Sequence, residues 1–233
     1  MKNIAIIPAR SGSKGLMDKN IKCLADKPLL FYSIDAAIRS EMFDTVMVST
    51  DSELYAEIAK KHGAEVPFLR SRRTSSDIAS SWDVVAEVLD NYMYMGKAFD
   101  TFMLLQPTSP LRTANDIIGS YRVMEDKQAN SIVSICEVDH SPEQCNILPD
   151  DLSLDHFIKE TSRGKRRQDM PTYYRFNGAI YLSRVQYFVA DHNIYREKCF
   201  AYIMDKKTSI DIDDELDFLI AEAIIDTKIC FEQ

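Results

Sequence analysis

The stretch from Ile4 to Asn20, IAIIPARSGSKGLMDKN, constrains the fold more than any other. Ile4 to Pro8 is an apolar, β-branched run too short for a helix, and it reads as a buried strand. The chain then turns small and cationic at once. Arg10, Ser11, Gly12, Ser13, Lys14, Gly15, Lys19 and Asn20 form a loop that leads towards an apolar-periodic segment starting at Leu29. Glycine and serine let backbone N–H groups close on an anion, and the cations neutralise charge that bare amides cannot, so the loop has the chemistry to hold phosphate. Between Lys2 and Lys22 five basic residues face one acid, Asp18, in a chain whose formal net charge is −8. An ordinary solvated strand-to-helix loop is the competing reading. Neither GxxxxGK[ST] nor GxGxxG is present, so a P-loop triphosphatase and a standard dinucleotide fold are not signalled.

With 233 residues and 45% hydrophobic content, the chain can bury one sizeable core, or one core plus a small appendage. No apolar run approaches the ~20 residues that span a bilayer, and the N-terminus enters a strand without a signal-peptide pattern, so a cytoplasmic protein without a membrane partner is expected. Cys23, Cys136, Cys145, Cys199 and Cys230 form no CxxC pair and fit reduced thiols. His62, His140, His156 and His192 are not at metal-ligand spacing, which argues against zinc. The acidic balance argues against a nucleic-acid partner, and an anionic ligand must meet local basic patches.

Along the chain, a helix is predicted from Pro28 to Ser40, a buried strand at Val46 to Thr50, a helix from Leu54 to Lys61 stopped by Gly63, and a short strand at Glu65 to Leu69. This β, α, β, α, β rhythm implies a parallel sheet with right-handed crossovers. Asp51, at a strand end, reads as a helix cap in preference to a ribose contact. Arg70 to Val85 is serine-rich before it becomes an amphipathic helix, and capping accounts for the serines. Thr101 to Leu105 reads as another buried strand, broken at Gln106 by a turn with Pro107 and Pro110 that ends in Arg112. In an open α/β sheet that turn and the Arg10 to Asn20 loop should face one another beyond the strand ends. A helix over Thr113 to Asp126 and a strand over Ser131 to Glu137 follow. From Asp139 to Pro171 the rhythm breaks, with Pro142, Pro149, Asp150, Asp151 and the basic run Arg163, Lys165, Arg166 and Arg167. Strands resume at Phe176 to Leu182 and Phe200 to Met204, and a helix through Leu216, Leu219, Ile220, Ala223 and Ile224 closes the chain.

Before that helix, Asp211 and Asp213 alternate with Ile210 and Ile212, which puts both acids on one face of an extended segment. Adjacent carboxylates repel unless a cation sits between them, and paired oxygens facing triphosphate suit Mg²⁺. The alternative is a solvated acidic helix N-terminus, which Asp214, Glu215 and Asp217 fit better than Asp211 and Asp213 do.

The motifs IIPARSGSKGLMDKN, VSTDSE, LLQPTSPLR, RRQDMPTYYRFNGAIYL and SIDIDDELD, in this order and across nearly the whole chain, closely resemble those of the cytidylyltransferases that activate sialic acid and related nonulosonic acids. The resemblance implies a Rossmann-like α/β nucleotidyltransferase domain, a mostly parallel sheet with flanking helices, formed by residues 1–137 and 173–233. Residues 138–172 would be a small dimerisation or substrate-lid subdomain that exchanges contacts across a homodimer. It further implies that the anomeric hydroxyl of the sugar acid attacks the α-phosphate of CTP, giving a CMP-sugar and pyrophosphate. In that reading Arg10, Ser11, Lys14 and Lys19 hold the triphosphate, with Arg10, Lys19 and Asp211 at the reacting centre, while Asn20, Arg70 and Ser81 hold cytidine. Asp211 and Asp213 ligate Mg²⁺ or another divalent cation. Gln106, Arg167, Arg175, Asn177 and Tyr181 line the sugar-acid pocket. Relatives commonly have proline where Phe176 precedes NGAIY, a departure that bears on the pocket's shape. The alternatives are a nucleotidyltransferase for 3-deoxy-manno-octulosonate or a sugar 1-phosphate, which the QPTSPLR and NGAIY pair disfavours, and a non-catalytic nucleotide-binding module.

Overall fold

The computed structural model describes residues 1–12, 15–158, 164, 166 and 169–227. Strand β1 (Asn3–Pro8) leads through a loop and a hairpin of β2 (Cys23–Leu24) and β3 (Lys27–Pro28) to helix α1 (Leu29–Arg39). Then come β4 (Thr45–Ser49), α2 (Glu53–Lys61), α3 (Ser81–Tyr94), β5 (Thr101–Leu104), α4 (Ala114–Asp126) and β6 (Ser131–Glu137). The rest comprises β7 (Tyr174–Arg184), α5 (Val185–Phe188), β8 (Cys199–Ile203) and α6 (Glu215–Asp226). The main sheet runs β4-β1-β5-β7-β6-β8. It is mostly parallel: β7 alone runs against its two neighbours, β5 and β6.

One predicted strand is corrected. Glu65 to Leu69 makes a single bridge, Glu65 to Met47, because Pro67 has no N–H to continue a ladder. Helix starts follow local capping chemistry. Ser80, Thr113 and Asp214 each cap a helix with a reciprocal bond from the acid three residues on, as in a capping box. Asp51 is not a cap; Ser52 performs that role for α2.

The core has two main layers, one on each face of the sheet. Leu30, Ile34, Tyr55, Ile117 and Tyr121 of α1, α2 and α4 cover one face, while Val84, Val88, Tyr92 and Phe188 of α3 and α5 cover the other. A third, smaller cluster joins Leu16, Leu24, Leu29, Ile212, Phe218 and Ala221. That cluster fastens the segment before α6 beside the loop after β1.

Residues 138–158 behave differently. They carry one short helical turn, Pro142–Gln144, and leave Ile147 90%, Leu152 69% and Leu154 65% exposed. At the same end of the sheet, Tyr174 and Phe176 of β7 and Ile203 of β8 are exposed too. Phe176 and Ile203 are both ladder partners of Ile135, so they form one apolar row across three strands.

Candidate active site

Beyond the carboxyl ends of β1 and β5 lies a crevice of about 460 Å³. The loop after β1 supplies Arg10, Gly15, Lys19 and Asn20, the segment before α3 supplies Thr74, Ser76, Ser80 and Ser81, and the β5 turn supplies Gln106 and Thr108. Arg70, Asp211 and Asp213 complete it. The two loops that were expected to face one another do so.

Each wall is held by identifiable bonds. Ser11 donates its N–H and hydroxyl to Asp51 at 2.8 and 2.9 Å, so both anchor the base of the loop and Ser11 does not line the crevice. Tyr55 holds Asp18 at 2.9 Å, and buried Asn20 donates to the Arg10 carbonyl at 3.0 Å. Lys19 Nζ donates to the Ile212 carbonyl at 2.6 Å and stands 3.9 Å from Asp213. Arg10 reaches across the mouth to Asp77 at 2.6 Å. Arg70 is buried, donating to Ser49 Oγ and the Ser49 carbonyl, and burial lowers its pKa to about 10.

Ile212 sits in the third core cluster and donates its N–H to the Thr108 carbonyl at 2.8 Å, so the alternation of residues 210–213 turns both flanking acids into the crevice. Their environments differ. Asp213 is an exposed carboxylate. Asp211 is largely buried: burial raises its pKa, the Thr108 hydroxyl lowers it, and Asp213 raises it again. Asp211 Oδ1 has no hydrogen-bond partner. An orphaned carboxylate oxygen beside a second carboxylate is a donor set that suits a hard divalent cation. Among the described residues no group of three or more His, Cys, Asp or Glu is placed to hold a metal. Such a cation would therefore be held by these two acids together with substrate oxygens and water.

The residues expected to line a sugar-acid pocket divide. Gln106 lines the crevice. Gly178 adopts φ 75°, in a β7 bulge where Ser134 ties Asn177 Oδ1 and Ile180. An added Cβ there would stand 2.9 Å from Gln106 Oε1 and 3.1 Å from Asp211 Oδ2. Asn177 itself is fully buried, with its amide engaged by Ser209 Oγ and Met204, so it builds the floor and does not line the crevice. Arg175 is exposed and donates to the carbonyls of Ser209 and Phe176. Tyr181 packs edge-on against Trp82 at 5.6 Å, and burial raises its pKa to about 12. Neither Arg175 nor Tyr181 lines the crevice. Lys14 and Arg167 lie outside the described residues. Reading the residues in order missed Asp77, whose partner is 67 positions away, and Thr108, whose tie to residues 211 and 212 is likewise long-range.

A cytidylyltransferase family model matches residues 4–230. The chain belongs to the cytidylyltransferase family. Within it, the chain is 40% identical over 230 residues to the N-acylneuraminate cytidylyltransferase of Escherichia coli O18:K1:H7, matching 97% of this chain and 53% of that protein. It thus spans about half the length of that curated relative. The CMP-N,N'-diacetyllegionaminic acid synthase of Legionella pneumophila is 32% identical over 97% of both chains. A pseudaminic acid cytidylyltransferase of Campylobacter jejuni is 29% identical, matching 96% of each. Among solved structures, CMP:2-keto-3-deoxy-manno-octonic acid synthetase complexed with CTP superposes with a TM-score of 0.73 at 16% identity, over 98% of this chain and 100% of that one, a likeness of fold. No helix among the described residues of this cytidylyltransferase-family chain is long and apolar enough to cross a membrane.

Proposed function

We propose that the protein is a cytidylyltransferase that activates a nonulosonic, sialic-acid-like sugar acid with CTP. The observation that carries this reading is the meeting, in one crevice, of a cationic wall of Arg10 and Lys19 with the carboxylates of Asp211 and Asp213. The anomeric hydroxyl gives up its proton to solvent as its oxygen forms a bond to the α-phosphorus, the bond to the bridging oxygen breaks, and pyrophosphate leaves without a covalent enzyme intermediate. Arg10 and Lys19 offset triphosphate charge, and alignment does most of the rest. Asn20, Arg70 and Ser81 form the nucleoside side. A fit for a divalent cation is supported by the orphaned oxygen of Asp211; bound there, such an ion would neutralise phosphate charge. Gln106 lies on the acid side, and Arg175, which acts electrostatically on Asp211, meets the sugar carboxylate.

We also propose a homodimer joined through residues 138–172 and the exposed apolar row of Phe176 and Ile203. Exposed apolar groups at this density mark an interaction surface.

Pyrophosphate release measured with CTP or ATP against neuraminic, legionaminic, pseudaminic and 3-deoxy-manno-octulosonic acids tests the function. Turnover with CTP and one of the first three acids, abolished by excess chelator, is expected. Equal use of ATP overturns the nucleotide assignment, and preference for the octulosonic acid overturns the sugar. Arg175→Ala should weaken acid binding with the KM for CTP unchanged, by about 2 to 5 kcal/mol if the sugar carboxylate is left buried and unpaired, and Arg175→Lys should not restore it if the planar fork matters.

A further inference from the structure

We propose that Arg112 is a positioning residue for nucleotidyl transfer: a buried cation that clamps the turn after β5 to the β7 bulge and so holds Gln106, Gly178 and Asp211 in register. The proposal rests on the function argued above.

Arg112 is 3% exposed. Its Nη1 donates to the carbonyls of Gln106 at 3.3 Å and Ala179 at 2.8 Å, and its Nη2 to Ser33 Oγ at 2.6 Å. Ser33 in turn donates to the same Gln106 carbonyl at 3.3 Å. One guanidinium therefore joins α1, the β5 turn and β7. Among the described residues the acid that acts on it is Asp116, and one oxygen of that carboxylate is committed to the Thr113 cap. Arg112 Nε is buried without a partner.

A buried charge held by carbonyls and a hydroxyl is a costly way to join three elements that apolar packing can join equally well. What the cation secures explains its place. Gln106 presents its side chain to the crevice from the residue whose carbonyl is clamped, and Ala179 directly follows Gly178. At Gly178 the carboxamide of Gln106 and the carboxylate of Asp211 converge so closely that a single methyl group would strike both. A small slip of the turn against β7 moves the acid-side amide relative to the carboxylate, and catalysis is sensitive to shifts on that scale. None of Arg112's hydrogen bonds reaches the nucleoside and phosphate wall of Arg10, Lys19, Asn20, Arg70 and Ser81.

The test compares wild type, Arg112→Met and Arg112→Lys in steady-state kinetics towards both substrates, with amide exchange of the substrate-free proteins. For Arg112→Met, kcat/KM for the sugar acid should fall about 100-fold while the KM for CTP stays within about twofold. Lysine keeps the charge and loses the fork, so Arg112→Lys should recover about tenfold of that loss. Exchange should quicken in residues 106–112 and 177–180 and not elsewhere. A KM for CTP that rises as far as the KM for the sugar acid overturns the proposal, as does wild-type turnover in Arg112→Met. If Arg112→Met does not fold, Arg112→Lys decides by the same split between substrates. Failure of wild type to form any CMP-sugar overturns the functional reading instead. The clamp is then judged by exchange alone, and unchanged protection in those two segments overturns it.

Discussion

The crevice and the segment 138–158 use their side chains in opposite ways. In and behind the crevice walls polar groups are committed: Ser11 to Asp51, Tyr55 to Asp18, Asn20 to the Arg10 carbonyl, Lys19 to the Ile212 carbonyl. In the segment the apolar side chains are uncommitted, with Ile147, Leu148, Leu152, Leu154 and Ile158 all exposed. Bonds within one chain can pre-organise a charged site, whereas apolar groups without a core of their own need another surface. The difference separates what a single copy completes from what it leaves open.

The largest expected effect probes whether the crevice is organised for chemistry at the expense of stability. Asp211→Asn keeps the shape and removes the charge, so turnover should fall by about 100-fold or more. Stability should move the other way. Burial raises the pKa of Asp211, so the folded chain holds this proton more tightly than the unfolded chain does. Stability is then lost as pH rises from the ordinary carboxylate range through the raised value, and the cost persists at neutral pH. Asp211→Asn should melt above wild type at pH 7, with the gap closing as pH falls. A variant less stable than wild type at pH 7 would mean that the carboxylate is a structural acceptor.

Much of this arrangement was legible because it rests on local rules. Period-two alternation at residues 210–213 placed both acids on one face, since Ile212 has a core to enter. The turn at Gln106 followed from two prolines after a buried run. Pairings between distant residues were not legible. Asp51 looked like a cap because a strand-end acid before a helix usually is one, but Ser11 offers it two donors and Ser52 caps in its place. Asn177 looked like a substrate contact, but the β7 bulge turns it inward to Ser134, Ser209 and Met204, a consequence of register that composition does not carry. Glu65 to Leu69 has strand-like residues, and Pro67 denies it the ladder.

The second prediction sharpens the contrast from the other side. Ile147→Asp with Leu152→Asp places charge on the uncommitted surface. If that surface joins two copies, the dimer should weaken by about 2 kcal/mol, roughly thirtyfold in Kd, while the KM for CTP is unchanged. Light scattering and sedimentation across a dilution series read this directly. An unaltered dimer would move the interface elsewhere, and a wild-type monomer at assay concentrations would remove it.

The smallest effect concerns a contact that spans the mouth of the crevice. Arg10 and Asp77 pair at 2.6 Å with side chains 31% and 46% exposed, so an anion from one wall occupies the cation assigned to the triphosphate on the other. On the proposed function the triphosphate would compete with that carboxylate for Arg10 and also meet its negative charge. An exposed pair of this kind is worth about 0.2 to 1 kcal/mol. Asp77→Asn should therefore lower the KM for CTP by up to about fivefold and tighten product inhibition by pyrophosphate to a similar degree. Because screening weakens exposed pairs, the gap between variant and wild type should narrow as ionic strength rises. An unchanged KM for the sugar acid would confine the effect to the nucleotide side. A KM for CTP that rises in Asp77→Asn would reverse the assignment: the pair would then draw the segment before α3 over the bound nucleotide, and the committed character of the crevice would extend to its mouth.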